Sequence, residues 1–282
     1  MSEAKQYEAL EINHLSPVIG TEVLGIDLSK VDRATTAWLN DLLVERKVLF
    51  FRDQEIAEEE HIAFAARFGG LEVHPFTDNN VRHPEIIHLN NDREHPPYIN
   101  IWHSDVTWRE EPSLGSILRA RVVPEVGGDT LFANMEAAYE GLDEETKELI
   151  DAPYYAIHDN EGFLQGMRTQ GASEEEIEAR RVEFPPQRHP VVRTHPVSGK
   201  KSLYVNKAFT RCIDGMKREE SVALLAKLYQ QAWMPDYQCR FRWRKDSFAF
   251  WDNRAAQHYA AADYWPETRM MERVTVMGDR PR

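Results

Sequence analysis

The sequence predicts a mainly β fold with flanking helices, either a β-sandwich or a jelly roll. Three observations predict it. Many short apolar stretches have strand length, Gly/Pro turn signals separate them, and only a few stretches carry helical spacing. No βαβ rhythm is visible along the chain.

Taken in order, Trp38, Leu39, Leu42 and Leu43 recur at helical spacing and stop before Val48–Phe51, an apolar run that reads as a buried strand. The acids at 58–60 open a second helix, where the helix dipole favours negative charge, and Gly69 and Gly70 close it. A third helix follows Asp143 as N-cap and runs to about Ile150. A fourth carries Val222, Leu225 and Tyr229 on one stripe and ends before Pro235. Strand signals lie at 116–123, at 190–194 and 202–205 around a Pro-Val-Ser-Gly turn, at 240–244, at 248–251 and at 272–277. Two stretches read as loops, 77–82 and 160 to about 187, the second with a charged helical piece at 173–181. It is either a solvated excursion or a lid.

The 282 residues, 42% hydrophobic and 29% charged, suffice for one larger domain or two small ones, with no internal repeat. The polar start lacks the basic and apolar regions of a signal peptide, and no run approaches the roughly 20 apolar residues of a membrane span, so a cytoplasmic location is expected. Two cysteines make no disulfide framework. A net charge of −13 opposes nucleic-acid binding, which needs a basic field. An anionic substrate would have to meet a few arginines gathered in one pocket.

Candidate chemistry begins at His103-Ser-Asp105, in a stretch with β character. Side chains two apart on a strand share a face, so His103 and Asp105 could grip one ion while Ser104 points away. Alone the pair is noise: with 11 His and 47 acidic residues, chance supplies about two such spacings, and His83-Pro-Glu85 is the other. His258 would complete a two-histidine, one-carboxylate face with open positions, which suits Fe(II) and O2 better than a closed structural zinc site. Arg269 and Arg273 flank the start of the last strand, roughly 13 Å apart along one face at about 3.3 Å per residue. They are either two anion clamps or exposed charges on an edge strand.

Read in order, Gly25-Ile-Asp-Leu28, Trp102-His-Ser-Asp-Val-Thr107, Gly127-Gly-Asp-Thr130, His189-Pro-Val-Val-Arg-Thr-His-Pro196, Trp251-Asp-Asn-Arg254, Gln257-His-Tyr259, Arg269, Arg273 and Met277-Gly-Asp279 resemble the Fe(II)/2-oxoglutarate dioxygenases typified by taurine dioxygenase. That family includes alkylsulfatase and aryloxyalkanoate-degrading members. The resemblance covers nearly the whole chain. It implies a single oxygenase domain over 1–282 with a double-stranded β-helix (jelly roll) core and lid segments near 74–100 and 160–188. It implies Fe(II) on His103, Asp105 and His258, with 2-oxoglutarate as co-substrate and O2 as oxidant. Arg269 would clamp the distal carboxylate of 2-oxoglutarate with help from Thr130. Arg273 would hold the acidic group of a small organic substrate with His74 and the backbone N–H of Val106, and Phe209 would line that pocket. Phe163 matches a further aromatic with the loop offset by one residue.

Two positions depart from the pattern. Where taurine dioxygenase places a Tyr and an Asn near the substrate amine, this chain has Thr77 and Ile99, with Asn100 adjacent. The implied substrate is therefore a taurine-like sulfonate, or a sulfonate or sulfate ester lacking the amine. An aryloxyalkanoate or other carboxylate is the alternative within the family. A zinc hydrolase or a non-catalytic anion-binding jelly roll are the alternatives outside it. Family analogy also implies a homo-oligomer. His189 and His195 each precede Pro and are expected to be structural, as are His61, His158, Trp102 and Trp251. Arg254 is a candidate partner for a ligand.

Overall fold

A computed structural model describes residues 10–77, 79–151 and 154–282. The polar N-terminal residues read above, and Asp78 within the 77–82 loop, lie outside the described residues. In chain order the elements are β1 (Glu11–His14), β2 (Thr21–Leu24), α1 (Arg33–Arg46), β3 (Val48–Phe51), α2 (Glu58–Ala65), β4 (Ile86–Asn91), β5 (Gly115–Val122), β6 (Thr130–Asn134), α3 (Met135–Glu140) and α4 (Glu144–Asp151). There follow β7 (Tyr155–His158), α5 (Glu161–Thr169), α6 (Glu174–Glu183), β8 (Gln187–Pro190), β9 (Val192–Thr194), β10 (Lys201–Leu203), β11 (Thr210–Ile213), α7 (Arg218–Gln231), β12 (Gln238–Phe241), β13 (Phe248–Asp252), β14 (Ala256–Ala260) and β15 (Arg269–Val276).

The result is a mixed α/β fold with several sheets. The largest runs β1-β2-β3-β13-β5-β15-β4; the smaller ones are β12-β6-β14, β11-β7-β8 and β10-β9. Alternation along the central strands sorts side chains to two faces. Leu49, Phe51, Phe248, Phe250 and Ile117 pack under α1 and α2 with Leu39, Leu43 and Phe64. Phe50, Ala249, Trp251, Leu118 and Met271 face Phe132, Phe241 and Trp243 of the β12-β6-β14 side. A third core lies where α3 and α7 meet the smaller sheets. Among the described residues no helix is long and apolar enough to cross a membrane.

Several expectations are met through named caps. Asp32 accepts from the Thr35 N–H to start α1, and Asp143 from the Thr146 N–H at the head of α4. Three are corrected. β2 and β3 pair in parallel with α1 between them, so one βαβ unit does exist, built on a β2 too short to stand out by composition. The buried stripe of α7 is Ser221, Leu224, Leu225 and Leu228, while Val222 is exposed. Residues 160–187 are mostly two helices, α5 and α6, the latter opened by a Ser173–Glu176 capping box.

Asp252, fully buried at the end of β13, anchors one end of the fold: it accepts two bonds from the Arg254 guanidinium and one from His195 Nε2. Burial alone would raise its carboxyl, but the Arg254 and His195 bonds outweigh that and hold it well below the usual carboxylate range. A carboxylate so depressed stabilises the fold above about pH 4, and that contribution fades as pH falls toward the lower folded value. Asp252→Asn should therefore cost roughly 3–5 kcal/mol at neutral pH and flatten the acid limb of stability. Urea midpoints measured from pH 3 to 7 check this, and an unchanged acid limb would count against it.

Candidate active site

His103 and His258 meet through their backbones. They form an isolated antiparallel bridge in which each N–H donates to the other's carbonyl, at 3.1 and 2.8 Å. Paired residues put their side chains on one face, and the ring centroids lie 4.1 Å apart. The stretch 100–107 is otherwise not a strand, contrary to expectation. After the bridge the chain turns, because Val106 adopts φ 47°, a strained value for a β-branched residue. The turn still delivers Asp105 beside the histidines, while Ser104 points away and donates to the Ala256 carbonyl.

Asp105 Oδ1 stands 3.7 Å from His103 Nε2 and 3.9 Å from His258 Nε2. Ligands bound to one ion at about 2.1 Å sit roughly 3.0–3.5 Å apart, so slight contraction suffices. His103 Nδ1–H donates to the Ile101 carbonyl at 2.7 Å, which leaves the Nε2 lone pair facing the carboxylate. Burial lowers both histidines, His258 to about 3, so both imidazoles are neutral and able to ligate. Burial would raise the Asp105 carboxyl, but Arg273 and then the two histidines pull it down, assisted by the Ser116 hydroxyl on Oδ2. The donor set fits a divalent metal with open positions.

Arg269 and Arg273 are 5% and 9% exposed on β15, which lies between β5 and β4, so the edge-strand reading is wrong. Arg269 Nε donates to the Gly128 carbonyl, leaving its two terminal amino groups for a bidentate acceptor. Gly128 itself sits at φ +71°, and a Cβ there would press on the Arg269 side chain at 3.3 Å. Thr130 accepts from the Trp243 indole N–H, which frees its own O–H to donate. Arg273 donates to Asp105 Oδ1 at 2.8 Å, and its Nε is buried without a partner.

These groups line one cavity of about 400 Å³. His74 is also there; burial, then Arg273, lowers it to about 3, and its Nδ1 accepts from the Phe76 N–H, leaving Nε2–H as a donor. Val106, Phe209, Phe163, Thr77 and Ile99 all reach the cavity. Asn100 does not: it faces a neighbouring surface pocket with Trp102 and Trp233, so a one-residue slip restores no amide. Phe163 stacks on Phe76 (5.3 Å) and on Phe209 (6.1 Å) and meets the His74 ring edge at 5.3 Å, so Phe163 and Phe209 give the cavity an aromatic lining.

Sequence reasoning missed Asn253, whose Oδ1 accepts from the Asp105 N–H and the Trp251 indole, and whose amide donates to Ser113 and Ser116. Its signal was present in the Trp251–Arg254 run, but nothing in spacing alone marked it. Arg254 serves Asp252 and not a ligand. His189 and His195 bond to the Arg109 carbonyl and to Asp252, and His61 and His158 are buried in packing, as expected.

The family model described as taurine catabolism dioxygenase TauD, TfdA family matches residues 11–275. The chain belongs to that family. Alkylsulfatase of Acinetobacter baylyi is 36% identical over 96% of this chain and 86% of its own length. The crystal structure of a taurine dioxygenase from Burkholderia xenovorans superposes with TM-score 0.82 at 33% identity, covering 97% of this chain and 91% of that one. That of AAD-2 in complex with Mn(II) and N-oxalylglycine gives 0.80 at 30% identity, covering 97% and 99%. As a TauD, TfdA family member the protein is an Fe(II)- and 2-oxoglutarate-dependent dioxygenase, and the zinc-hydrolase and binding-protein readings fall away.

Proposed function

We propose that the protein hydroxylates the carbon next to the acidic group of a small alkyl sulfate ester or sulfonate. The observation that carries this reading is one cavity lined by both anion-binding and apolar groups. Arg273, with an orphaned Nε, and the His74 donor supply the first, and Phe163, Phe209 and Ile99 the second, with the Phe163 ring 5.3 Å from that of His74. An anionic head and an apolar body match these two kinds of lining. An ammonium tail would lose hydrogen bonds beside Ile99, at about 1–3 kcal/mol. Hydroxylation at a carbon bearing O–SO3⁻ or SO3⁻ gives an adduct that collapses to an aldehyde and sulfate or sulfite.

In this reading His103, Asp105 and His258 hold Fe(II). The iron, with 2-oxoglutarate and O2, supplies the oxidation, as 2-oxoglutarate is converted to succinate and CO2. Arg269 and Thr130 hold the distal carboxylate of 2-oxoglutarate by charge-assisted bonds. Arg273, His74 and the Val106 N–H orient the substrate acid, so that the adjacent C–H faces the metal triad. The α5–α6 hairpin closes the cavity through Phe163, and closure excludes water; its ties, such as Arg168–Glu174 and Arg181–Glu161, are exposed and weak. We take 1–282 to be a single domain whose facing sheets form a double-stranded β-helix, acting in the cytoplasm as a homo-oligomer.

Anaerobic addition of Fe(II) and 2-oxoglutarate should give a weak visible absorption band. Succinate formation is then compared for alkyl sulfates, alkylsulfonates, taurine and aryloxyacetates. The sulfur anions should stimulate it most; stimulation by aryloxyacetates alone would move the substrate to a carboxylate, and stimulation by none would sink the proposal. Arg269→Ala should raise the 2-oxoglutarate KM by roughly 10- to 100-fold, the loss of a charge-assisted hydrogen bond of about 1.5–3 kcal/mol. An unchanged KM would remove Arg269 from its role.

A further inference from the structure

A second group of ligand-type side chains lies away from the cavity. Glu58 in the first turn of α2, His88 on β4 and Glu272 on β15 bring one potential ligand atom each within 4.8 Å of one another. His88 and Glu272 are cross-strand partners. Glu272 alternates with Met271 and Arg273, so it occupies the opposite sheet face and cannot share an ion with His103, Asp105 and His258.

Glu272 is the informative member. Its side chain is 9% exposed, Arg121 Nε reaches Oε1 at 3.3 Å, and Oε2 is buried with no hydrogen-bond partner. A buried carboxylate oxygen without a donor is costly unless a cation or proton meets it.

Asn80 is the group a cation would compete with. Its Oδ1 is held by the N–H groups of Arg82 and His83. Its Nδ2 therefore lies between Glu58 Oε2, at 3.1 Å, and His88 Nε2, at 3.4 Å. Asn80 Nδ2 thus occupies the point between these two groups, and a cation bound there has to displace it, an exchange the neighbouring groove leaves room for. Access exists, because His88 and Glu272 line an open groove of about 660 Å³. Two arginines and Lys245 in that groove oppose a cation; Lys245 is largely exposed and lies 3.9 Å from Asp246. Arg119 is already committed to Asp246 at 2.7 Å, and Arg121, 41% exposed, can turn to water.

We propose that Glu58, His88 and Glu272 form a second divalent-cation site of zinc type on the outer face of the large sheet. One imidazole and two carboxylates suit a borderline metal with a water completing four-coordination. The ion would clamp α2 to β4 and β15, the strand that carries Arg269 and Arg273.

The test is equilibrium dialysis of the full chain against Zn²⁺, with bound metal counted. The native protein should hold one equivalent beyond that taken up by the active-site triad. Glu58→Gln and His88→Gln should each lose that equivalent while keeping Fe(II)-dependent turnover; both positions are partly exposed, so the fold should survive. A His103→Ala/His258→Ala chain should keep the outer equivalent, and Zn²⁺ should raise its Tm by several degrees, an effect Glu58→Gln should abolish. The proposal is overturned if Glu58→Gln and His88→Gln both retain the native zinc count, or if Zn²⁺ leaves the Tm of the double-alanine chain unchanged.

Discussion

His258→Ala is expected to abolish turnover and to release most of the bound iron. Partners that only orient a metal ligand cost roughly 10- to 100-fold in metal affinity or activity, so removal of a ligand should cost more than that. The neighbouring groups cannot compensate. His103 and Asp105 are placed by a backbone bridge and a turn that leave the third direction to His258 alone. Alanine keeps the β14 backbone, so β14–β6 pairing and the fold should persist. Iron content, turnover and far-UV circular dichroism measured together check this. A folded His258→Ala protein retaining near-native iron and turnover would remove His258 from the centre.

Arg273→Ala should weaken use of the primary substrate while sparing 2-oxoglutarate. Truncating one partner of a buried, charge-assisted pair costs about 2–5 kcal/mol, or roughly 30- to 5,000-fold in kcat/KM. A substrate no longer held by its acid would also present its C–H poorly. More 2-oxoglutarate should then be consumed per product formed, a signature that mere loss of stability would not produce. Succinate and aldehyde measured in the same reaction give the ratio. A ratio equal to that of the native protein would contradict the role given to Arg273.

Much of the site was legible because its chemistry is carried by rare residue types in ordered runs. The spacing of His103 and Asp105 alone was no better than chance, but with His258, Arg269 and Arg273 they form an ordered set that resembles the family, and all five line one cavity. The route to that arrangement was less legible. Period-2 reasoning put His103 and Asp105 on a strand, whereas a bridge and a left-handed Val106 bring them together. Asn253 and Trp243 escaped notice because their roles depend on long-range bonds, to Asp105 and Thr130, that no local pattern encodes. In the fold, apolar strands such as Val48–Phe51 were evident, while β1, β2 and β14 are short and polar enough to pass as loop. The hairpin α5–α6 was half read: the capped α6 announced itself, but α5, with Gly162 and Gly166, has weak intrinsic helix preference.

Arg269 and Arg273 belong to a single strand hydrogen-bonded on both sides, so the two guanidinium groups behave as marks on one ruler. The offset between the anchored ends of co-substrate and substrate is then set by main-chain geometry and resists change by point mutation. Adaptation to longer or bulkier molecules must come from other lining residues, such as Phe163 and the helix α5 that carries it. Relatives acting on dissimilar acids should accordingly differ most along α5 and least along β15.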